Sequence, residues 1–176
     1  MDKFLKYAAS DVTFSEYPNE VALYIEISGC PIHCKECHSK FLWEDIGIEL
    51  SDDVIKNLIN KNEGITAVVI GGGDQDEKDV IRIIRFIKTN FPWLKVCWYS
   101  GKSDISSLII DFIRNDKMLD AIKIGPYIES AGPLNKETTN QQFLTIDYHE
   151  ESRNILVDIE LVDSTELFWK NKYKYC

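Results

Sequence analysis

Apolar residues follow two rhythms along this 176-residue chain. Val21-Ala-Leu-Tyr-Ile-Glu-Ile27 is a nearly continuous apolar run of strand length, as expected of a strand covered on both faces. Ile65–Ile70, Lys95–Ser100 and the shorter Ala121–Ile124 have the same character. Between these runs the spacing turns helical. Val54, Ile55, Leu58 and Ile59 form one stripe, behind Ser51 as a capping hydroxyl and Asp52 and Asp53 as first-turn acids, with Gly64 as the stop. Val80, Ile84, Ile87 and Phe91 form a second stripe, closed by Pro92. Ile105, Leu108, Ile109 and Phe112 form a third. Strand and helix thus alternate at about thirty residues per unit. That predicts right-handed βαβ connections and an α/β fold, a parallel sheet with helices outside.

At the flanks the pattern loosens. Val12–Tyr17 reads as a short strand, and Pro18-Asn19 as the turn leading into the first long one. Gly, Pro, Asn and Thr crowd Glu129–Gln142, which reads as a loop. Gln142–Ile146 and Asn154–Leu161 are late strands, and the clean alternation of the second suits a half-exposed sheet edge. Basic and aromatic residues mix in Phe168–Cys176, a loosely packed terminus. Without repeats or a linker, residues 1–176 read as a single domain.

Charge narrows the partners. Twenty Lys and Arg against 29 Asp and Glu leave a net charge of −9, which argues against a nucleic-acid surface and for simple solubility. No apolar run reaches membrane-spanning length and Met1–Lys6 lacks a signal-peptide core, so the expectation is a cytoplasmic protein without membrane contact. Five cysteines in such a chain point to metal binding or catalysis before disulfides.

Three of those cysteines, Cys30, Cys34 and Cys37, stand in a C-x3-C-x2-C spacing directly after the first long strand. Thiolates this close on one loop can converge on an iron–sulfur cluster or a metal ion, and three leave one position open for chemistry. A Cys3His zinc site with His33 or His38 fits the same residues, as do three reduced core thiols. Phe41 and Trp43 supply bulk to pack over the loop and exclude water. Gly71-Gly72-Gly73-Asp74 ends the second long strand: its glycines let backbone approach a ligand, its acid can receive an ammonium, and a plain turn is the alternative. Cys97 reads as a small core residue, Cys176 as a terminal one without a role, and His149 as a surface residue. Neither a nucleophile triad nor a Walker-type phosphate loop is visible.

The cysteine spacing, followed one βα unit later by Gly72-Gly73-Asp74, resembles the radical S-adenosylmethionine enzymes. Ser28-Gly-Cys-Pro, Cys37-His-Ser with Trp43-Glu-Asp, Trp98-Tyr-Ser-Gly101, Lys123-Ile-Gly-Pro-Tyr127 and Thr139-Asn-Gln-Gln142 narrow this to a resemblance to anaerobic ribonucleoside-triphosphate reductase activating proteins. It runs from about Val12 to Ile146, the core; the late strand and tail of 147–176 match nothing. The resemblance implies a truncated (β/α) partial barrel, open on one side so that a protein substrate can present a buried glycine. It implies that Cys30, Cys34 and Cys37 hold a [4Fe–4S] cluster whose fourth iron is chelated by S-adenosylmethionine. Gly72, Gly73 and Asp74 would take the methionyl amino group, with Asp74 where Glu is commoner. Backbone at Glu36, Cys37 and His38 would meet adenine, and Ser100 and Gly125 would make further cofactor contacts. A one-electron donor such as flavodoxin or ferredoxin would reduce the cluster. The 5′-deoxyadenosyl radical formed would take hydrogen from a glycine of a glycyl-radical enzyme, the anaerobic ribonucleotide reductase large subunit. Two other readings stay open. One is a small-molecule enzyme similar to 7-carboxy-7-deazaguanine synthase, disfavoured by the few polar residues after Gly125; the other is a non-catalytic Cys3His zinc adaptor.

Overall fold

The computed structural model describes residues 4–149 and 158–170. In chain order it contains β1 (Lys6–Thr13), β2 (Ala22–Ile27), a 3₁₀ turn (Lys40–Trp43), β3 (Ile48–Glu49), α1 (Asp52–Lys61), β4 (Ala67–Gly71) and α2 (Glu77–Asn90). There follow β5 (Lys95–Tyr99), α3 (Ser107–Asp116), β6 (Ala121–Ile124), β7 (Gln142–His149), β8 (Asp158–Asp163) and α4 (Leu167–Lys170).

One eight-stranded sheet runs β3-β1-β2-β4-β5-β6-β7-β8. Its centre is parallel: Leu23 pairs with Val68, Val68 with Val96, and Trp98 with Ile122. The fold is therefore mixed α/β, and the expected parallel sheet holds only for these four strands. β1 lies antiparallel on β2, and β7 and β8 add antiparallel strands at the other side. Residues 14–21 are too short for a crossover, so β1 must return along its neighbour.

The strand expected at Val12–Tyr17 lies earlier, over Lys6–Thr13. Beyond Thr13 the chain turns away, with Ser15 N donating to Thr13 Oγ1 at 3.1 Å and Phe14 exposed. Lys-Tyr-Ala-Ala-Ser-Asp has no clean alternation, so pairing with β2 rather than local pattern makes it a strand. β8 covers the end of the expected Asn154–Leu161 strand and stands at the sheet edge, while 154–157 lie outside the described residues.

The helices start where capping chemistry allows. Ser51 accepts from Val54 N, Asp76 from Asp79 N and Ser106 from Ile109 N. α2 stops at Phe91, ahead of Pro92. α1, α2 and α3 all bury against one sheet face, packing Ile55, Ile84, Ile87 and Ile109 on Ile25, Ile70, Val96 and Ile122. In α3 the buried stripe is Ile109, Phe112 and Ile113; Leu108 points outward and Ile105 precedes the helix. The opposite face carries small residues, Ala22, Ala67, Cys97 and Ala121, beneath Tyr17, Leu134 and Phe143. The tail is better packed than expected at its start, since Phe168 sits edge-on to Phe143 at 5.1 Å. Residues 171–176, with Cys176, lie outside the described residues. Among the described residues no helix is long and apolar enough to cross a membrane.

The placement of α3 predicts unequal costs for adjacent leucine and isoleucine truncations. Ile109→Ala should lose ~2–5 kcal/mol of unfolding free energy and Leu108→Ala no more than ~0.5 kcal/mol. Urea denaturation of the reduced protein, followed by circular dichroism, measures both. Equal losses would contradict the orientation of the helix.

Candidate functional site

The carboxyl ends of β2, β4, β5 and β6 lie along one edge of the sheet, where an α/β protein assembles its chemistry. The cysteine loop leaves the end of β2. Ser28 is buried and anchors it, its N bonded to Lys6 O at 2.9 Å and its Oγ donating to Ile46 O at 2.6 Å. Gly29 then takes φ +77°, and Gly29 N and Cys30 N donate to Glu44 O and Leu42 O at 3.0 and 2.9 Å. These two bonds fold the 3₁₀ turn back over the loop.

Cys30, Cys34 and Cys37 are all free and half-buried. Cys37 N donates to Cys34 O, and Ser39 N to Cys37 Sγ at 3.4 Å. Burial pushes the Cys30 thiol pKa up; backbone hydrogen bonds from Ile32 and His33 oppose this, and the charges of Asp74 and Cys34 add to it. Cys30 therefore lies within electrostatic reach of both. Among the described residues no three His, Cys, Asp or Glu side chains stand together in metal-holding geometry. The thiols are brought to one loop but not to one point. His33, at φ +50°, stacks on Trp43 at 4.7 Å, and His38 meets Tyr127 at 4.7 Å. Glu36 is exposed. The donor set suits an iron–sulfur cluster chemically: three accessible thiols free of disulfides and, beside them, a buried indole N–H at Trp43 that has no partner among the described residues.

The glycine turn after β4 is built for close approach. Gly72 and Gly73 have φ +94° and +96°, and a Cβ at Gly73 would stand 2.6 Å from Val80 Cγ2. Trp98 Nε1 donates to Gly72 O at 2.7 Å. Asp74 is buried; its Oδ1 accepts from Ser100 Oγ at 2.5 Å and its Oδ2 from Gly101 N at 3.0 Å. Gln75 Nε2 reaches Ser28 O at 2.7 Å, latching the glycine turn to the root of the cysteine loop. Two residues singled out separately in the sequence, Asp74 and Ser100, are thus one hydrogen-bonded unit. Gly125 joins through Lys102, whose N donates to Ser100 Oγ and whose O accepts from Gly125 N at 2.7 Å.

On the sheet face opposite α1, α2 and α3, a cavity of about 680 Å³ reaches the cysteine loop at Cys37 and His38. Its polar walls include Glu16, Tyr99, Lys123, Asn135 and Gln141. Lys123 Nζ donates to Gly125 O at 2.9 Å and lies 5.8 Å from the centre of the Tyr99 ring. Burial lowers the Lys123 pKa to about 8, against the pull of Cys34, Asp74 and Glu16. Burial also raises Glu16, whose backbone carbonyl accepts from Tyr99 OH. Tyr99, Lys123 and Gln141 stand in segments that carry the resemblance but were given no role at the site, and polar groups were judged few beyond Gly125, where Asn135 and Gln141 line this cavity. The signal was present in the strands. A lysine inside Ala-Ile-Lys-Ile, at the register of Tyr99, breaks an apolar run on one face only.

A lysine buried at such cost makes stability pH-dependent with a definite sign. With its folded pKa near 8 and its unfolded value at 10.5, the unfolded chain binds more protons between these limits. The lysine's penalty is thus full below pH 8 and fades as pH rises toward 10.5. In metal-free protein, Lys123→Met should raise stability at pH 7 by ~1–3 kcal/mol. It should also flatten the rise above pH 8. Urea titrations at several pH values test it; an unchanged pH profile would contradict the environment assigned to Lys123.

Comparison with curated proteins and with solved structures returned no match. A family model described as a 4Fe–4S single cluster domain, in contrast, matches residues 20–145, most of the chain. The matched span opens just ahead of β2, takes in the cysteine loop and the glycine turn, and ends within β7. The chain belongs to the 4Fe–4S single cluster domain family, and its cofactor is an iron–sulfur cluster.

Proposed function

We propose that the protein is a radical S-adenosylmethionine activase, with Cys30, Cys34 and Cys37 as ligands of the [4Fe–4S] cluster. The observation that carries this reading is the latch from Gln75 to Ser28, which sets the glycine turn against the cysteine loop. When bound, the cluster supplies the electron that cleaves S-adenosylmethionine, and a flavodoxin or ferredoxin renews it. The chain's own residues bind and orient. Gly72 and Gly73 offer bare backbone to the methionyl amino group, and Asp74 offers a carboxylate already aimed by Ser100 and Gly101. Backbone at Glu36, Cys37 and His38 takes the adenine side, and Gly125 closes the far side of the site, with its carbonyl held by Lys123. Helices on one sheet face and a cavity on the other support a truncated (β/α) partial barrel. The partner proposed is an anaerobic ribonucleotide reductase large subunit, whose glycine gives up hydrogen and keeps the radical.

The cavity favours a second reading. Glu16, Lys123, Asn135 and Gln141 could orient a small molecule, as in an enzyme similar to 7-carboxy-7-deazaguanine synthase. A zinc adaptor has less support, because the family matched is an iron–sulfur one.

Two experiments bear on these assignments. Cys30→Ala, Cys34→Ala and Cys37→Ala should each lose the brown absorbance of the anaerobically reconstituted protein, and Cys97→Ala, deep in the sheet, should keep it. Asp74→Asn removes the charge and keeps the shape; S-adenosylmethionine affinity should fall by about ten- to a hundredfold, with iron and sulfide contents unchanged. Affinity equal to wild type would leave the glycine turn a structural joint. The partner is tested by electron paramagnetic resonance after anaerobic mixing with a reductase large subunit and a strong reductant. A doublet that loses its α-proton splitting when the partner carries deuterated glycine is expected. A metabolite consumed with the cofactor, and no radical on any partner, would establish the small-molecule reading instead.

A further inference from the structure

Trp43 Nε1 is buried and has no hydrogen-bond partner among the described residues. An indole N–H can only donate, and folded proteins rarely leave such a donor buried and idle. This one belongs to a partly buried ring stacked on the cysteine loop. Its ring lies 12° from parallel on His33, itself between Cys30 and Cys34, and Lys40 Nζ stands 5.7 Å from the ring centre. The backbone on either side is pinned, Leu42 O by Cys30 N and Glu44 O by Gly29 N. The indole is therefore fixed against the loop that carries the three thiols. Trp98 shows the usual solution, its Nε1 bonded to Gly72 O. Thiolate and sulfide sulfur accept hydrogen bonds once they carry charge, so a cluster bound at the loop would bring Trp43 an acceptor.

We propose that Trp43 Nε1 donates a hydrogen bond to a sulfur of the bound cluster, thiolate or sulfide, and thereby raises its reduction potential. The inference rests on the reading that Cys30, Cys34 and Cys37 hold the cluster. Its direction follows from charge. One-electron reduction makes the sulfurs more negative, so the same N–H stabilises the reduced form more than the oxidised form. In this scheme Trp43 sets how readily the cluster accepts an electron and touches no substrate.

Trp43→Phe keeps a flat ring to stack on His33 and deletes the donor. The test is an anaerobic redox titration of the reconstituted full-length chain, read by electron paramagnetic resonance and set beside resonance Raman spectra in H₂O and D₂O. At the wild-type midpoint, the ratio of reduced to oxidised cluster in the variant should fall several-fold. A tenfold fall would correspond to about 59 mV for one electron. The Fe–S stretching bands of the wild type should shift in D₂O, and those of Trp43→Phe should shift less. Trp93→Phe, an exposed tryptophan after α2 and away from the cysteine loop, should leave both signals unchanged. Should Trp43→Phe fold poorly, 3-benzothienylalanine at position 43 keeps the indole's shape without its N–H and should reproduce the shift. Normal iron and sulfide contents with an unshifted potential would overturn this inference alone. Zinc in place of iron and sulfide would overturn the cluster ligation beneath it as well.

Discussion

A buried carboxylate holds the working edge of this protein together. Asp74 could not stay inside the fold without partners, because an unpaired carboxylate out of water is among the costliest groups a protein can bury. It takes Ser100 Oγ on one oxygen and Gly101 N on the other. The ends of β4 and β5 are thereby tied at the point where their ladder stops. The neighbouring Gln75 extends the tie to Ser28 at the end of β2, and Ser100 and Lys102 pass it on to Gly125 after β6. Backbone bonds carry the strands one residue further, from Gly72 N to Tyr99 O and from Ser100 N to Lys123 O, and with the side-chain ties the four strand ends form one frame. Gly101 is part of its cost, since a Cβ there would sit 2.7 Å from Ile32 Cγ1 of the cysteine loop. Asp74 retains lone pairs beyond the two in use, so it can brace the frame and still receive a cation.

That frame has two unlike faces to stand on. All three long helices lie on one side, where isoleucine after isoleucine fills the space between helix and sheet. The other side pairs small residues, Ala22, Ala67, Cys97 and Ala121, with polar or aromatic ones, and no long helix covers it. Right-handed crossovers explain the first side: successive connections running in one direction across a parallel sheet all land on the same face. The second side is then free to be hollow. Small residues near the amino ends of the strands let Tyr17, Leu134 and Phe143 close that end. Tyr24, Tyr99 and Lys123, nearer the carboxyl ends, line the cavity that opens toward the cysteines.

How much of this was legible depended on whether local sequence or distant pairing decided each piece. Strands β2, β4, β5 and β6 and helices α1 and α2 were legible because apolar run, cap and stop agree at each, as at Ser51 and Pro92. β1 was misplaced because Lys6–Thr13 becomes a strand only by pairing with β2 and β3. Leu108 was misassigned because a stripe read three residues at a time cannot tell which flank of a short helix faces the sheet. At the site, both motifs were legible as sequence, but the bond from Asp74 to Ser100 spans 26 residues and has no local sign. That Glu16 and Gln141 share a cavity was not legible for the same reason: they come from loops that meet only because β1 and β7 flank the parallel core.

The frame is set while the thiols are not, and electrostatics accounts for the difference. Ser28, Gly29, Cys30 and Cys37 have backbone partners that hold the loop's root and its turn. Drawing three sulfurs to one point would set thiolates against one another and against Asp74. Burial is the main reason the Cys30 pKa is raised, and the charges of Asp74 and Cys34 add to it. Lys123 is too far inside, and too readily neutral, to cancel it alone. A bound metal centre would bring positive charge to offset it. On the proposed ligation, cluster assembly on this loop would be a deprotonation as much as a binding event, with thiol protons released as sulfur meets metal. A scaffold that fixes the carboxylate, the glycine backbone and the indole in advance leaves just the sulfurs to move, and so keeps the ordering cost of assembly small.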